Sequence, residues 1–251
     1  MSSYVPVLTF HKIDETPSVT SFPPALFESF MEKLIRNGYR TVGLTDAVEN
    51  LYRGAPLPEK TFVLTFDDGY RSVFSDAFPV MKRHGMSATV FLTVGDPAKP
   101  RPGGRMPPLN GSEMLSWAEV TEMREAGIRF GAHTLTHPDL TRLGTEKIEY
   151  EIVKSKEIIE GVLGEPVRSF AYPYGRYDER SMGIAERFFD CACSDELGLL
   201  TLESKRYALG RVDTCYLKNE RLTGLMLSGL FPYYVRLRNV PRKILRRLSR
   251  R

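Results

Sequence analysis

Three groups of residues combine reactive chemistry with a suggestive spacing. Asp67 and Asp68 stand side by side before Gly69, His133 and His137 are four residues apart, and Tyr172-Pro173-Tyr174-Gly175 has the composition of a tight turn. One carboxylate with two imidazoles is a three-ligand set that leaves coordination positions open, which a catalytic Zn²⁺-type site requires. The second carboxylate then supplies a base. Neighbouring side chains on an extended backbone point to opposite sides, so both can serve one water only across a tight turn, which Gly69 permits. Each group alone is ordinary: Asp-Asp-Gly favours turns for reasons unrelated to catalysis, and a lone histidine is commonly a hydrogen-bonded structural residue. Their order and shared placement carry the argument.

That placement comes from the elements around them. Apolar runs at 5–10, 40–42, 61–66, 88–93, 128–132, 169–171, 191–194 and 208–212 read as strands. Apolar residues recurring near every 3.6 positions read as helices over 24–38, 72–84 and 145–164. Further helices are expected from Asp46, read as a cap, to about residue 53, after a Ser116/Glu119 capping box to residue 127, and over 178–187. Strands alternating with helices imply a parallel sheet wrapped by helices. All three reactive groups then lie just past C-terminal strand ends, the edge where parallel α/β proteins build their sites. Residues 95–111 hold five prolines and four glycines and read as a lid. Trp117, the single Trp, follows that loop and is placed either to stack on a sugar ring or in the core.

With 251 residues, 42% hydrophobic and 26% charged, the chain fits one large domain and excludes collagen-like, wholly disordered and polytopic membrane classes. Residues 1–10 carry neither a basic n-region nor an apolar h-region with a cleavage site, so the expected compartment is the cytoplasm. Cys191, Cys193 and Cys215 cannot all pair internally and are expected to be reduced and structural. The net charge of +4 hides an asymmetry: nine of the 35 basic residues and none of the 31 acidic ones lie in 221–251, leaving 26 against 31, or −5, for residues 1–220. The expected organisation is therefore a domain over 1–220 and a basic amphipathic extension over 221–251.

Thr65-Phe66-Asp67-Asp68-Gly69, His133-Thr134-Leu135-Thr136-His137-Pro138 and Phe170-Ala171-Tyr172-Pro173-Tyr174-Gly175 resemble the first three motifs of the NodB-like polysaccharide deacetylases of carbohydrate esterase family 4. The resemblance spans at least residues 5–213. It implies a distorted (β/α) barrel of fewer than eight strands and metal-dependent hydrolysis of an N-acyl group, with N-acetyl expected, from an amino sugar. By position, Asp67 matches the general base, Asp68, His133 and His137 match the metal ligands, and Tyr174 matches the residue whose backbone N–H helps form the oxyanion hole. The cofactor implied is a divalent metal, Zn²⁺ first, with Co²⁺, Ni²⁺ or Mn²⁺ as alternatives. Two departures stand out. Ala171 occupies the place of the motif's usual Arg, and no His follows His137 to supply the general acid. Val7-Leu8-Thr9-Phe10-His11-Lys12-Ile13 resembles the opening of the poly-N-acetylglucosamine deacetylase branch, whose first strand delivers that acid, which makes His11 the expected general acid and strand capping its rival role. Arg211 is the candidate substitute for the missing Arg, paired with Asp67, with a plain surface position as the alternative.

The expected partner is an N-acetylated amino-sugar substrate, in a polysaccharide or linked to a lipid. Residues 221–251 add either a peripheral contact with an anionic membrane, on its inner face, or a helix packed on the barrel. No nucleic-acid partner is expected, since no zinc finger, RNA-recognition or helix-turn-helix pattern is present. The rival functions are a carbohydrate-binding relative with impaired catalysis and a deacylase for a small amide.

Overall fold

The computed structural model describes residues 4–55, 58–97 and 104–248, the last eight without their side chains. Ten strands are β1 (Val7–Phe10), β2 (Lys12–Ile13), β3 (Ser21–Phe22), β4 (Arg40–Thr41), β5 (Thr61–Phe66), β6 (Thr89–Leu92), β7 (Arg129–Ala132), β8 (Ser169–Ala171), β9 (Cys191–Leu197) and β10 (Leu209–Asp213). The helices are α1 (Pro24–Arg36), α2 (Leu44–Tyr52), α3 (Phe78–Arg83), α4 (Trp117–Glu125), α5 (Thr145–Leu163), α6 (Glu179–Phe188), α7 (Glu220–Gly224) and α8 (Phe231–Leu248). Seven strands form a closed parallel ring in the order β1, β10, β9, β8, β7, β6, β5, and β5 pairs back to β1. Short β4 pairs with the start of β5, and β2 with β3 makes a separate parallel pair.

Period-two alternation sorts each strand into two faces. The outward residues Phe10 and Phe66 stack at 5.4 Å, and Phe27 of α1 meets Phe10 edge-on at 5.2 Å. Helix α1 buries Phe27, Phe30, Met31 and Leu34 against these strands, and fully burying one such side chain contributes ~1.5–3 kcal/mol. The inward residues Val7, Val63, Phe91, Ala171, Cys191, Cys193 and Leu209 pack as a second cluster that fills the barrel below the site. Two positions further along, the inward residues of β1, β5 and β10 turn polar: Thr9, Thr65 and Arg211 are all buried. All three cysteines are free thiols, and burial pushes Cys193 up to about 12, as suits an inert core residue.

Several expectations are corrected. Gly43, not Asp46, is the N-cap of α2, and Asp46 sits in its first turn, where a carboxylate suits the positive helix end. The expected helix over 72–84 is a π-turn at Val73–Ala77 running into α3. Trp117 opens α4 behind its Ser116/Glu119 capping box, packs against the core, and does not line the cleft. In the 95–111 loop, residues 98–103 lie outside the described residues. Beyond them Met106 is buried, its N–H bonding the Leu115 carbonyl, and Arg105 reaches Met114 and Glu119, so this half is tied down. The start of the C-terminal extension packs on the barrel, one of its two expected roles: Met226, Phe231 and Val235 join the main core.

Candidate active site

The C-terminal ends of β1, β5, β7, β8, β9 and β10 surround an open cleft of about 330 Å³. His11, Asp67, Asp68, His133, His137, Tyr174 and Arg211 all line it. Every residue expected to bind metal or take part in catalysis therefore lines one cleft.

Asp68 leaves β5 at φ 73 and Gly69 follows at φ 87, the tight turn that lets adjacent carboxylates serve one cleft. Asp68 Oδ1 lies 3.3 Å from His133 Nε2 and 3.2 Å from His137 Nε2. His133 Nδ1 is 2.7 Å from the Ala171 carbonyl, which can only accept, so Nδ1 donates there and the ring is oriented with Nε2 facing Asp68. Asp68 Oδ1 is buried with no hydrogen-bond partner. The ligand atoms of the three residues lie within 4.8 Å of one another. This donor set fits a divalent cation of Zn²⁺ type.

Asp67 is held differently. Arg211 Nη1 and Nη2 donate to its Oδ1 and Oδ2, both at 2.7 Å, while Arg211 Nε donates to the Ser194 carbonyl and Nη1 also reaches Thr65 Oγ1. Burial alone would raise the Asp67 carboxyl, but the charge and fork of Arg211 outweigh it and hold the carboxyl below its ordinary value. Arg211 is buried inside the barrel, so the surface alternative is overturned. His11 Nε2 stands 4.0 Å from Asp67 Oδ2.

The loops bearing these groups are strained. Asp68, Asn110, Thr134, His137 and Tyr174 all have positive φ between 51 and 73°, a conformation that costs of order 1–3 kcal/mol each in a non-glycine residue. Glu151, buried on α5, braces the histidine loop: its carboxylate accepts from Leu135 N and Thr136 N at 3.0 Å and from Thr136 Oγ1 at 2.8 Å. Thr134 Oγ1 accepts from His137 N at 3.0 Å. In the third motif the exposed Tyr174 ring meets His137 edge-on at 4.6 Å. A side chain at Gly175 would overlap the Asp195 backbone.

A family model described as polysaccharide deacetylase matches residues 54–188. The chain belongs to that family. It is 30% identical over 209 residues to a Bacillus subtilis protein whose name, polysaccharide deacetylase YxkH, is itself provisional, covering 83% of this chain and 70% of the relative. It is 33% identical over 78 residues to the poly-beta-1,6-N-acetyl-D-glucosamine N-deacetylase of Escherichia coli, 30% of this chain but only 12% of that protein. Among solved structures, IcaB from Ammonifex degensii superposes with a TM-score of 0.76 over 91% of this chain and 99% of that one, at 21% identity, which shows the shared barrel. The polysaccharide deacetylase assignment makes the chain a hydrolase and fits the closed ring of seven strands.

Sequence reasoning missed Tyr70, Asn110, Asp195, Asp213 and the bracing Glu151. Burial raises the Tyr70 phenol and nearby Asp68 raises it further, so this hydroxyl stays protonated beside the ligand set. Glu151 alone carried a signal: it falls in the buried row of α5 with Ile148, Ile152 and Ile159, a register in which an unpaired carboxylate is costly.

Proposed function

We propose that this polysaccharide deacetylase removes the N-acetyl group of an amino sugar in a metal-dependent hydrolysis, giving a free amine and acetate. The observation that carries the reading is that one cleft holds both the Asp68–His133–His137 ligand set and a separate, ionised carboxylate on Asp67. Asp68 Oδ1, His133 Nε2 and His137 Nε2 would hold the cation. Bound there, it supplies Lewis acidity toward the acyl oxygen and lowers the pKa of water toward ~7. Asp67, fixed by Arg211, accepts the proton of the attacking water at a carboxylate oxygen. The Tyr174 backbone N–H donates to the developing oxyanion. His11 delivers a proton from Nε2 to the departing nitrogen as the C–N bond breaks.

For the carrier of the sugar we take a lipid rather than a soluble polymer, on the strength of the basic charge of residues 221–251. Acetate release is to be measured from chitooligosaccharides and from polyprenyl-linked N-acetylhexosamine, before and after chelation. Chelation should abolish turnover and Zn²⁺ restore it. Asp67→Asn should keep metal yet lose ~10²–10⁴-fold in kcat, the usual contribution of a positioned base. Full activity in that variant, or turnover indifferent to chelation, would refute the reading.

A further inference from the structure

Helix α8 has two apolar faces, and only one of them has a partner among the described residues. Phe231 and Val235 are buried against the barrel, Tyr234 Oη donates to the Tyr216 carbonyl at 2.6 Å, and Asn239 Nδ2 donates to the Leu197 carbonyl at 2.6 Å. These contacts fix which side faces the protein. On the other side Tyr233, Leu237 and Val240 are 67, 71 and 52% exposed, and Leu230, the residue before the helix, is 62% exposed. At 3.6 residues per turn, positions 230, 233, 237 and 240 fall in one stripe opposite the buried one. In the sequence the same spacing continues through Ile244 and Leu248. Scattered apolar residues on a surface are ordinary, but a row along a helix marks a contact.

Charge decides what covers the row. Residues 221–251 carry nine basic and no acidic side chains, and Arg236 and Arg238 are exposed on the described part of the helix. Two copies meeting stripe to stripe would bring two such cationic segments together. A nucleic acid would engage the charge and leave the apolar row in water. An anionic bilayer satisfies both, since an in-plane helix sinks its apolar side to the acyl boundary while each nearby cation gains from the surface potential.

We propose that the exposed stripe of α8 docks on an anionic lipid surface with the helix lying in the plane of the interface. No described helix is long and apolar enough to cross a membrane. Tyr216, which anchors Tyr234, follows Asp213 by three residues, and Asp213 lines the cleft. The anchored side of α8 therefore sits beside the strand end that borders the cleft, so docking keeps the cleft close to the lipid surface. The lipid carrier proposed above rests on this surface, whereas the deacetylation chemistry does not.

The test compares the full chain with a Tyr233→Ser, Leu237→Ser, Val240→Ser triple variant on vesicles of phosphatidylcholine alone and of phosphatidylcholine with phosphatidylglycerol. The parent protein should sediment with the anionic vesicles only and be released by salt. The triple variant should bind about tenfold more weakly or less, with its activity on soluble chitooligosaccharide unchanged. Equal binding by both proteins, equal binding to neutral vesicles, or a parent dimer that the triple variant loses would overturn the proposal. Should neither protein release acetate from soluble chitooligosaccharide or from polyprenyl-linked N-acetylhexosamine while the vesicle pattern holds, the docking surface stands and the deacetylase reading falls.

Discussion

Asp67 and Asp68 are the same side chain one position apart, and their surroundings give them different chemistry. Asp68 faces two imidazoles, whereas Asp67 is gripped by a guanidinium from the last barrel strand. The fork matters as much as the charge. Lysine offers a point charge that cannot span both carboxylate oxygens, so Arg211→Lys should fold and bind metal but turn over at least ~10-fold more slowly. Arg211→Ala strands a buried carboxylate and should cost ~3–5 kcal/mol of stability in urea titration. Unchanged stability in the alanine variant would mean that the pair is not what holds Asp67. At this scale a group of one carboxylate and two imidazoles was legible because its residue types and strand-end spacing coincide along the chain, and the motif resemblance chose Asp68 over Asp67 as its carboxylate. The Asp67–Arg211 pair could be proposed only through a motif's missing Arg, since 144 residues separate the partners. Nothing in the chain marked Tyr70, Asn110 or Asp195, which reach the cleft through loop geometry alone.

Strands and helices were read well wherever an apolar period ran for several residues, as in β5 and α1. Two-residue strands such as β2 and β3 are too short to show a period, and the polar second half of β9, Asp195-Glu196, reads as a loop although it belongs to the strand. The element with most bearing on the site is α5, because its buried Glu151 ties down the loop that carries both histidines. Glu151→Gln replaces one acceptor oxygen with a donor group facing N–H groups. Metal affinity should fall by ~10–100-fold, as for other groups that orient ligands from behind, while the thermal midpoint moves little. An unaltered metal titration would show that the loop holds its shape without the brace. Helix α4 offers a pH readout. Burial alone would raise the Glu119 carboxyl, but hydrogen bonds from Ser116 and Arg71 hold it below the ordinary 4.5. Stability from this capping box is therefore full above that value and is lost as pH falls through the depressed one. Glu119→Ala should cost ~1 kcal/mol at neutral pH and close to nothing in acid.

As a whole the molecule is a ring whose two ends are sealed by its first strand: β1 pairs with β5 on one side and β10 on the other. His11 follows that strand directly, so the expected acid is delivered by the element that closes the barrel. His11→Ala should lower kcat by ~10²–10⁴-fold with metal content and thermal midpoint intact. A variant that merely unfolds would show instead that His11 caps the strand. The seal also dictates an order of assembly. Leu8 meets Leu64 after a short stretch of chain, but its pairing with Val212 waits until nearly all of the barrel sequence has been made. Long-range parallel pairing is slow, and a nascent chain on the ribosome can form its early β1–β5 pairing well before β10 emerges. Asp68, His133 and His137 are all synthesised before Arg211. The growing protein thus has the three residues of the proposed metal site first and the guanidinium clamp on Asp67 last, so the proposed chemistry waits on closure of the ring.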